Sequence, residues 1–72
     1  MACDNAVYVI RVIEHLHGVQ MWFFWRSDIA DWVSDLERAT RYLYSHGAAG
    51  LAERLSREHG VEAAAVREVD VC

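Results

Sequence analysis

The residues of this chain that could do chemistry are few and scattered. His15 and His17 stand two apart, so on an extended strand both imidazoles point the same way. A pair of imidazoles can begin a metal site, but a closed zinc site needs four ligands. Cys3, Cys72, His46 or His59 would have to complete it, and none stands at a recognised Cys/His spacing. Two exposed histidines at a turn are the simpler reading. Nucleophilic catalysis needs a nucleophile, a base and an orienting group. Ser34 and Ser45 read as helix caps, Ser27 as a loop residue, and Ser56 as the wet side of a helix. Cys3 and Cys72 stand at the two ends of the sequence, where rigid placement is hard. No catalytic residue, metal or cofactor is assigned, and a non-catalytic role is expected.

The acidic segment is more specific. Asp28, Asp31, Asp35 and Glu37 fall within ten residues of one another and adjoin Trp32. The plainer reading is a solvated loop with helix-capping acids. The functional reading is an acidic, aromatic-tipped surface that docks on a basic patch of another protein, where complementary charge speeds association and fixes orientation. The aromatic run Val19-Gln20-Met21-Trp22-Phe23-Phe24-Trp25-Arg26 supplies further anchors. Trp22, Trp25, Asp28, Asp31, Trp32 and Asp35 form the expected partner-binding set.

These residues need elements to position them. The aromatic run is too short to span a membrane as a helix. Its length and its aromatic content predict a strand. Val19, Met21, Phe23 and Trp25 fall on one face; Gln20, Trp22, Phe24 and Arg26 fall on the other. A strand that is greasy on both faces needs cover on both: the protein's own core on one side, and a loop, a second copy or a partner on the other. Residues 7–15 predict a first strand, with His17-Gly18 as the hairpin turn. Trp32-Val33 reads as a brief extension of sheet. Ser34 and Glu37 have capping-box spacing before a single helical turn over residues 35–39. Residues 40–44 predict a short third strand.

Ser45 then caps a helix over residues 46–59. Ala48, Leu51, Ala52, Leu55 and His59 make one stripe, and Gly60 ends the helix in the left-handed conformation. The alternation Val66-Arg67-Glu68-Val69-Asp70-Val71 predicts a last strand within residues 61–71. A crossover through the helix makes that strand parallel to the third, beside it or beside the first. The expected fold is α+β: one mostly antiparallel four-stranded sheet with one helix packed on one face, in the order β-β-β-α-β. One helix covers only one face, so the opposite face should expose several of Val7, Val9, Ile13, Met21, Trp22, Phe23, Phe24 and Trp25 and mark an interaction surface.

Composition narrows the classes. Seventy-two residues make a single domain with little room for a preorganised pocket. The net charge is −4, and all seven basic residues are arginine. That balance disfavours direct nucleic-acid binding, which needs clustered cations. Residues 1–6 read as a loose lead-in with no basic start, and Arg11 breaks the apolar stretch that follows, so no signal peptide is expected. Two cysteines do not make a disulfide scaffold, and two reduced thiols in a cytoplasmic protein are expected. No membrane association is expected.

The stretch Trp32-Val33-Ser34-Asp35-Leu36-Glu37-Arg38-Ala39-Thr40-Arg41-Tyr42, followed by residues 48–55, resembles a pattern of small phage and prophage proteins. In these a Trp, an Asp three residues on, an Ala and an aromatic lead into a short capped helix flanked by strands. The acidic residue usual near the helix start is absent; His46-Gly47 stand there. The resemblance implies a β-β-β-α-β layout and a mobile-element setting. Small acidic phage proteins without catalytic motifs are often inhibitors of host defence, anti-CRISPR proteins among them. The expected function is therefore binding and steric inhibition of a host protein with a basic surface patch, in the cytoplasm of a bacterial host. The alternative is a homodimer that buries its open aromatic sheet face as a structural or accessory protein.

Overall fold

The structure, a computed structural model, describes residues 3–72. Two long strands form its spine. β1 (Tyr8–Leu16) and β2 (Val19–Arg26) pair antiparallel in a hairpin. His17 and Gly18 turn it with φ of 52° and 79°. Positive φ at both central residues is the requirement of a type I′ turn, whose twist suits the flanking strands. β3 (Asp31–Val33) lies along the outer edge of β2, and β4 (Ala63–Arg67) along the other side of β1. The sheet order is β3-β2-β1-β4, and every pairing within it is antiparallel.

The fifteen-residue helix α1 (Ser45–His59) connects the two halves. It buries Ala48, Ala52 and Leu55, three members of the expected stripe. Leu51 packs half-buried beside them. Gly60 closes the helix at φ 66°, and its N–H donates to the Ser56 carbonyl. The start differs from expectation. Tyr44 is the N-cap, Ser45 is already helical, and no side chain caps the end. Ser56 is also not on the wet side. Its Oγ accepts from the Ala63 N–H at 2.9 Å and donates to the Ala52 carbonyl at 2.8 Å, which pins the start of β4 to the helix.

The core has two layers, one on each face of the sheet. On the helix side, Ile10 and Trp25 pack with Ala52 and Leu55, and Trp32, Tyr42, Ala63 and Ala65 close in around them. On the other side, Val9, Phe24 and Ala39 pack with Val33, Leu36, Val66 and Val71. The second cover is thus the chain's own: a 3-10 turn at Leu36–Arg38 and the short closing helix α2 (Glu68–Val71). The expected helical turn over residues 35–39 is this 3-10 turn, with Asp35 at its N-cap and no side-chain cap bond.

The third strand expected over residues 40–44 is reduced to one bridge, Tyr42 against Tyr8. The reason is spatial. β2 already lies along that flank of β1 from Arg11 onwards, so the segment meets β1 only near its start, at Tyr8. Trp32-Val33 supplies the edge strand instead. The expected direction survives nonetheless. Tyr42 and β4 both run antiparallel to β1, on opposite sides of it, so β4 is parallel to the Tyr42 segment with β1 between them. β4 also stops early, at Arg67. The Glu68 N–H still donates to the Val7 carbonyl, but the chain then coils to bring Cys72 to Cys3.

Those two cysteines are joined in a disulfide, with Cα atoms 6.2 Å apart. This corrects the expectation of two reduced thiols. The ends meet because β1 and β4 are neighbours running in opposite directions, which brings the start of one beside the end of the other. The expected lead-in over residues 1–6 is also tied down within its described part. The Asp4 N–H donates to Glu68 Oε1 at 3.1 Å, and Arg41 Nε donates to Glu68 Oε2 at 2.6 Å. Met1 and Ala2 lie outside the described residues.

Candidate protein-docking site

The helix is shorter than the hairpin it covers. α1 ends at His59, level with Val12 and Phe23, which pair across β1 and β2. β4 begins opposite Val12, and β3 reaches only to Phe24. Beyond that level the hairpin is a two-stranded ribbon without neighbours. On its helix-side face two further pairs follow, Glu14 with Met21 and Leu16 with Val19. Leu16 is 57% exposed, Val19 59% and Met21 39%. An apolar track therefore runs from the tip of the hairpin down to the end of the helix.

At its foot lies a cavity of about 340 Å³ lined by Val12, Glu14, Phe23, Trp32, His59 and Val61. Trp32 and His59 form an aromatic side of it, and Trp25 backs both. Trp25 and Trp32 stand 5.1 Å apart edge-to-face, and His59 stands 5.5 Å from Trp25 and 5.9 Å from Trp32. Trp25 is buried beneath them. The cavity thus combines fixed aromatic surface with one carboxylate, that of Glu14. Among the described residues Glu14 has no ion pair.

The expected binding residues do not form one surface. Trp25 is only 7% exposed and belongs to the core, so it cannot be a surface anchor; it supports Trp32 from behind. Trp22 and Trp32 lie on opposite faces, since Trp32 pairs with Trp25 and Trp22 has the other parity. Trp22 carries the Arg11 guanidinium over its ring at 5.0 Å. Asp28 is taken up by Arg26, whose Nε donates to Oδ1 at 2.8 Å. That contact holds the Asp28 carboxyl below its usual range. Asp31 Oδ1 accepts from the Trp32 N–H at 2.8 Å. Asp35 heads the 3-10 turn without a side-chain bond. Trp32 is therefore the member of the set that lines the cavity. His17 lies in the turn, not on a strand beside His15, and both cysteines are bridged. Among the described residues no three His, Cys, Asp or Glu side chains stand close enough to hold a metal ion.

The sequence places Phe23 on the aromatic strand and His59 on the helix stripe, but it does not bring either together with Glu14 as a site. One signal was available: Glu14 continues the face of Tyr8, Ile10 and Val12, so a carboxylate interrupts a face that is otherwise core.

The free negative charge is unevenly placed. Arg26, Arg41, Arg54, Arg57 and Arg67 are all engaged in ion pairs. Glu14, Asp31, Asp35, Glu37 and Glu62 have no such partner among the described residues. Glu14 and Glu62 flank the uncovered ribbon, one lining the cavity and the other the reverse face. No helix is long and apolar enough to cross a membrane among the described residues. No protein-family model matches the chain, and no curated protein or solved structure matches it.

Proposed function

We propose that this chain is a non-catalytic protein-binding module that docks through the helix-side face of its projecting hairpin. One observation carries the reading: α1 stops at His59 and leaves Leu16, Val19 and Met21 exposed above a walled aromatic cavity. Contiguous apolar surface rimmed by charge is the usual mark of an interaction site. The unpaired acids beside it favour a partner with a basic surface. Steric occlusion of that surface is the mechanism.

The sharpest form of the reading is a phage or prophage protein that blocks a host defence protein, in the manner of an anti-CRISPR inhibitor. Its support is the sequence pattern of residues 32–42 and 48–55. A bacterial cytoplasm is the setting that form implies. An intact Cys3–Cys72 bridge belongs to an oxidising environment, so in a reducing cytoplasm the fold would rest on its core and on the Glu68 contacts.

The test is affinity capture from bacterial lysate by the tagged chain, beside a Val19→Ser, Met21→Ser control whose far-ultraviolet circular dichroism matches the parent. A stoichiometric protein captured by the parent and lost in the control is the expected result. Equal capture by both, or a chain that captures nothing and sediments as a tight dimer, overturns it. The dimer would favour the homodimeric alternative, with the hairpin face rather than the open sheet face as its seam.

A further inference from the structure

We propose that the cavity at the foot of the hairpin receives a single arginine side chain from the protein partner. This inference rests on the docking reading and names the chemistry of its central contact.

The walls suit a flat cation. The Trp32 and His59 rings meet at 86° with centroids 5.9 Å apart, which forms a corner of aromatic surface. Trp25 contacts both from behind, so the corner is fixed before a ligand arrives, and little ordering cost remains for binding. Aromatic faces attract cations through the ring quadrupole, Trp most strongly. Glu14 stands at the same cavity with an unpaired carboxylate, and it disfavours any anionic ligand. The carboxy-terminal end of α1 also lies there, since His59 is its last residue. That end carries the partial negative charge of the helix dipole. The Trp32 ring, the carboxylate and the dipole select the same sign.

Arginine fits better than lysine. Its guanidinium is planar, stacks on aromatic faces and offers a fork of donors to a carboxylate. The chain already makes this contact with itself on the reverse face of β2, where the Arg11 guanidinium lies over the Trp22 ring at 5.0 Å. A volume of about 340 Å³ is at the small end for ligand sites and leaves room for one long side chain. The apolar track above the cavity would cover the residues flanking that arginine.

The full chain, labelled with ¹⁵N, is titrated with N-acetyl-arginine amide and, separately, with N-acetyl-citrulline amide, its uncharged near-isostere. The Trp32 indole signal, assigned with Trp32→Phe, reports the cavity. The expected result is a saturable shift with the arginine amide, a much weaker one with the citrulline amide, and about three- to fivefold weaker binding in Glu14→Gln. No saturable shift, equal shifts with both amides, or unchanged binding in Glu14→Gln overturns the assignment. The two readings can fail separately. A captured partner lost in Val19→Ser, Met21→Ser but held with unchanged Kd by Glu14→Gln leaves the docking face standing and removes arginine from the cavity. Arginine-amide binding without any captured partner does the reverse. Arg38 is exposed and makes no ion pair among the described residues, so a dimer abolished by Arg38→Ala would assign the cavity to a second copy and overturn the foreign-partner assignment.

Discussion

The His59 ring, on the last residue of the helix, stands 5.9 Å from the Trp32 ring on the edge strand. This contact ties two elements far apart in sequence across the top of the core. It also fixes where covered sheet gives way to open ribbon. The cavity and the docking face both begin at this contact.

Trp32 consequently has a structural role as well as a surface one. Its replacement by alanine removes stacking on both Trp25 and His59 and should destabilise the fold by about 2–3 kcal/mol. Trp22→Ala touches only an exposed ring and its Arg11 partner, and should stay within about 1 kcal/mol of the parent. Urea unfolding of the two variants measures the contrast. Equal losses would show that Trp32 does not brace the core.

The Cys3–Cys72 bridge closes nearly the whole chain into one loop. Chain-entropy reasoning gives about 4 kcal/mol for a loop of this length, as an upper figure. Reduction, or Cys3→Ser with Cys72→Ser, should lower unfolding free energy by about 2–4 kcal/mol without abolishing the fold. Thermal melts with and without reductant decide this, and a coincident pair of curves would rule the bridge out as a stabiliser.

Glu68 predicts the acid limb of stability. The Asp4 backbone N–H, and next the Arg41 guanidinium, hold its carboxyl below the usual 4.5, against the opposing effect of burial. A carboxyl depressed in the folded state binds fewer protons there than in the unfolded chain. Its stabilising contribution is therefore complete above about pH 4.5 and is lost as pH falls through the lower folded value. Glu68→Gln should be less stable than the parent at neutral pH. It should also lose less on going from about pH 5 to pH 3. Parallel acid limbs would show that this carboxyl is not the group that titrates.

Two positions test the backbone. His17 occupies a left-handed conformation at φ 52°, which costs most side chains energy but suits asparagine. His17→Asn should stabilise the hairpin by about 0.5–1 kcal/mol. Gly60→Ala places a Cβ at φ 66° and should destabilise by about 1 kcal/mol. Chemical denaturation of each variant reads both signs.

The hairpin, the helix and the left-handed stop at Gly60 were legible in the sequence because each is encoded locally, in alternation, in a 3.6-residue stripe and in one residue type. The two-faced grease of β2 was also informative. Trp25 meets the helix on one side, and Phe24 meets Ala39 and Leu36 on the other. What could not be read was competition between segments. Residues 40–44 have strand-like composition, yet β2 had already filled the flank of β1 that they would need. Trp25 looked like a surface anchor because aromatic composition alone does not reveal which face a helix will cover. The cavity was invisible for a related reason. Glu14, Phe23, Trp32 and His59 come from four elements, and only the lateral order of the strands brings them together.

The bridge between Cys3 and Cys72 also determines how the molecule bears mechanical load. β1 and β4 lie next to the two ends and run antiparallel, so tension applied to an unbridged chain would peel them apart one pair at a time, starting at Tyr8 and Arg67. With the sulfurs joined across a Cα separation of 6.2 Å, that tension travels through covalent bonds and bypasses the sheet. Held from both sides, the domain behaves as a bead on a string whose interior feels no pull.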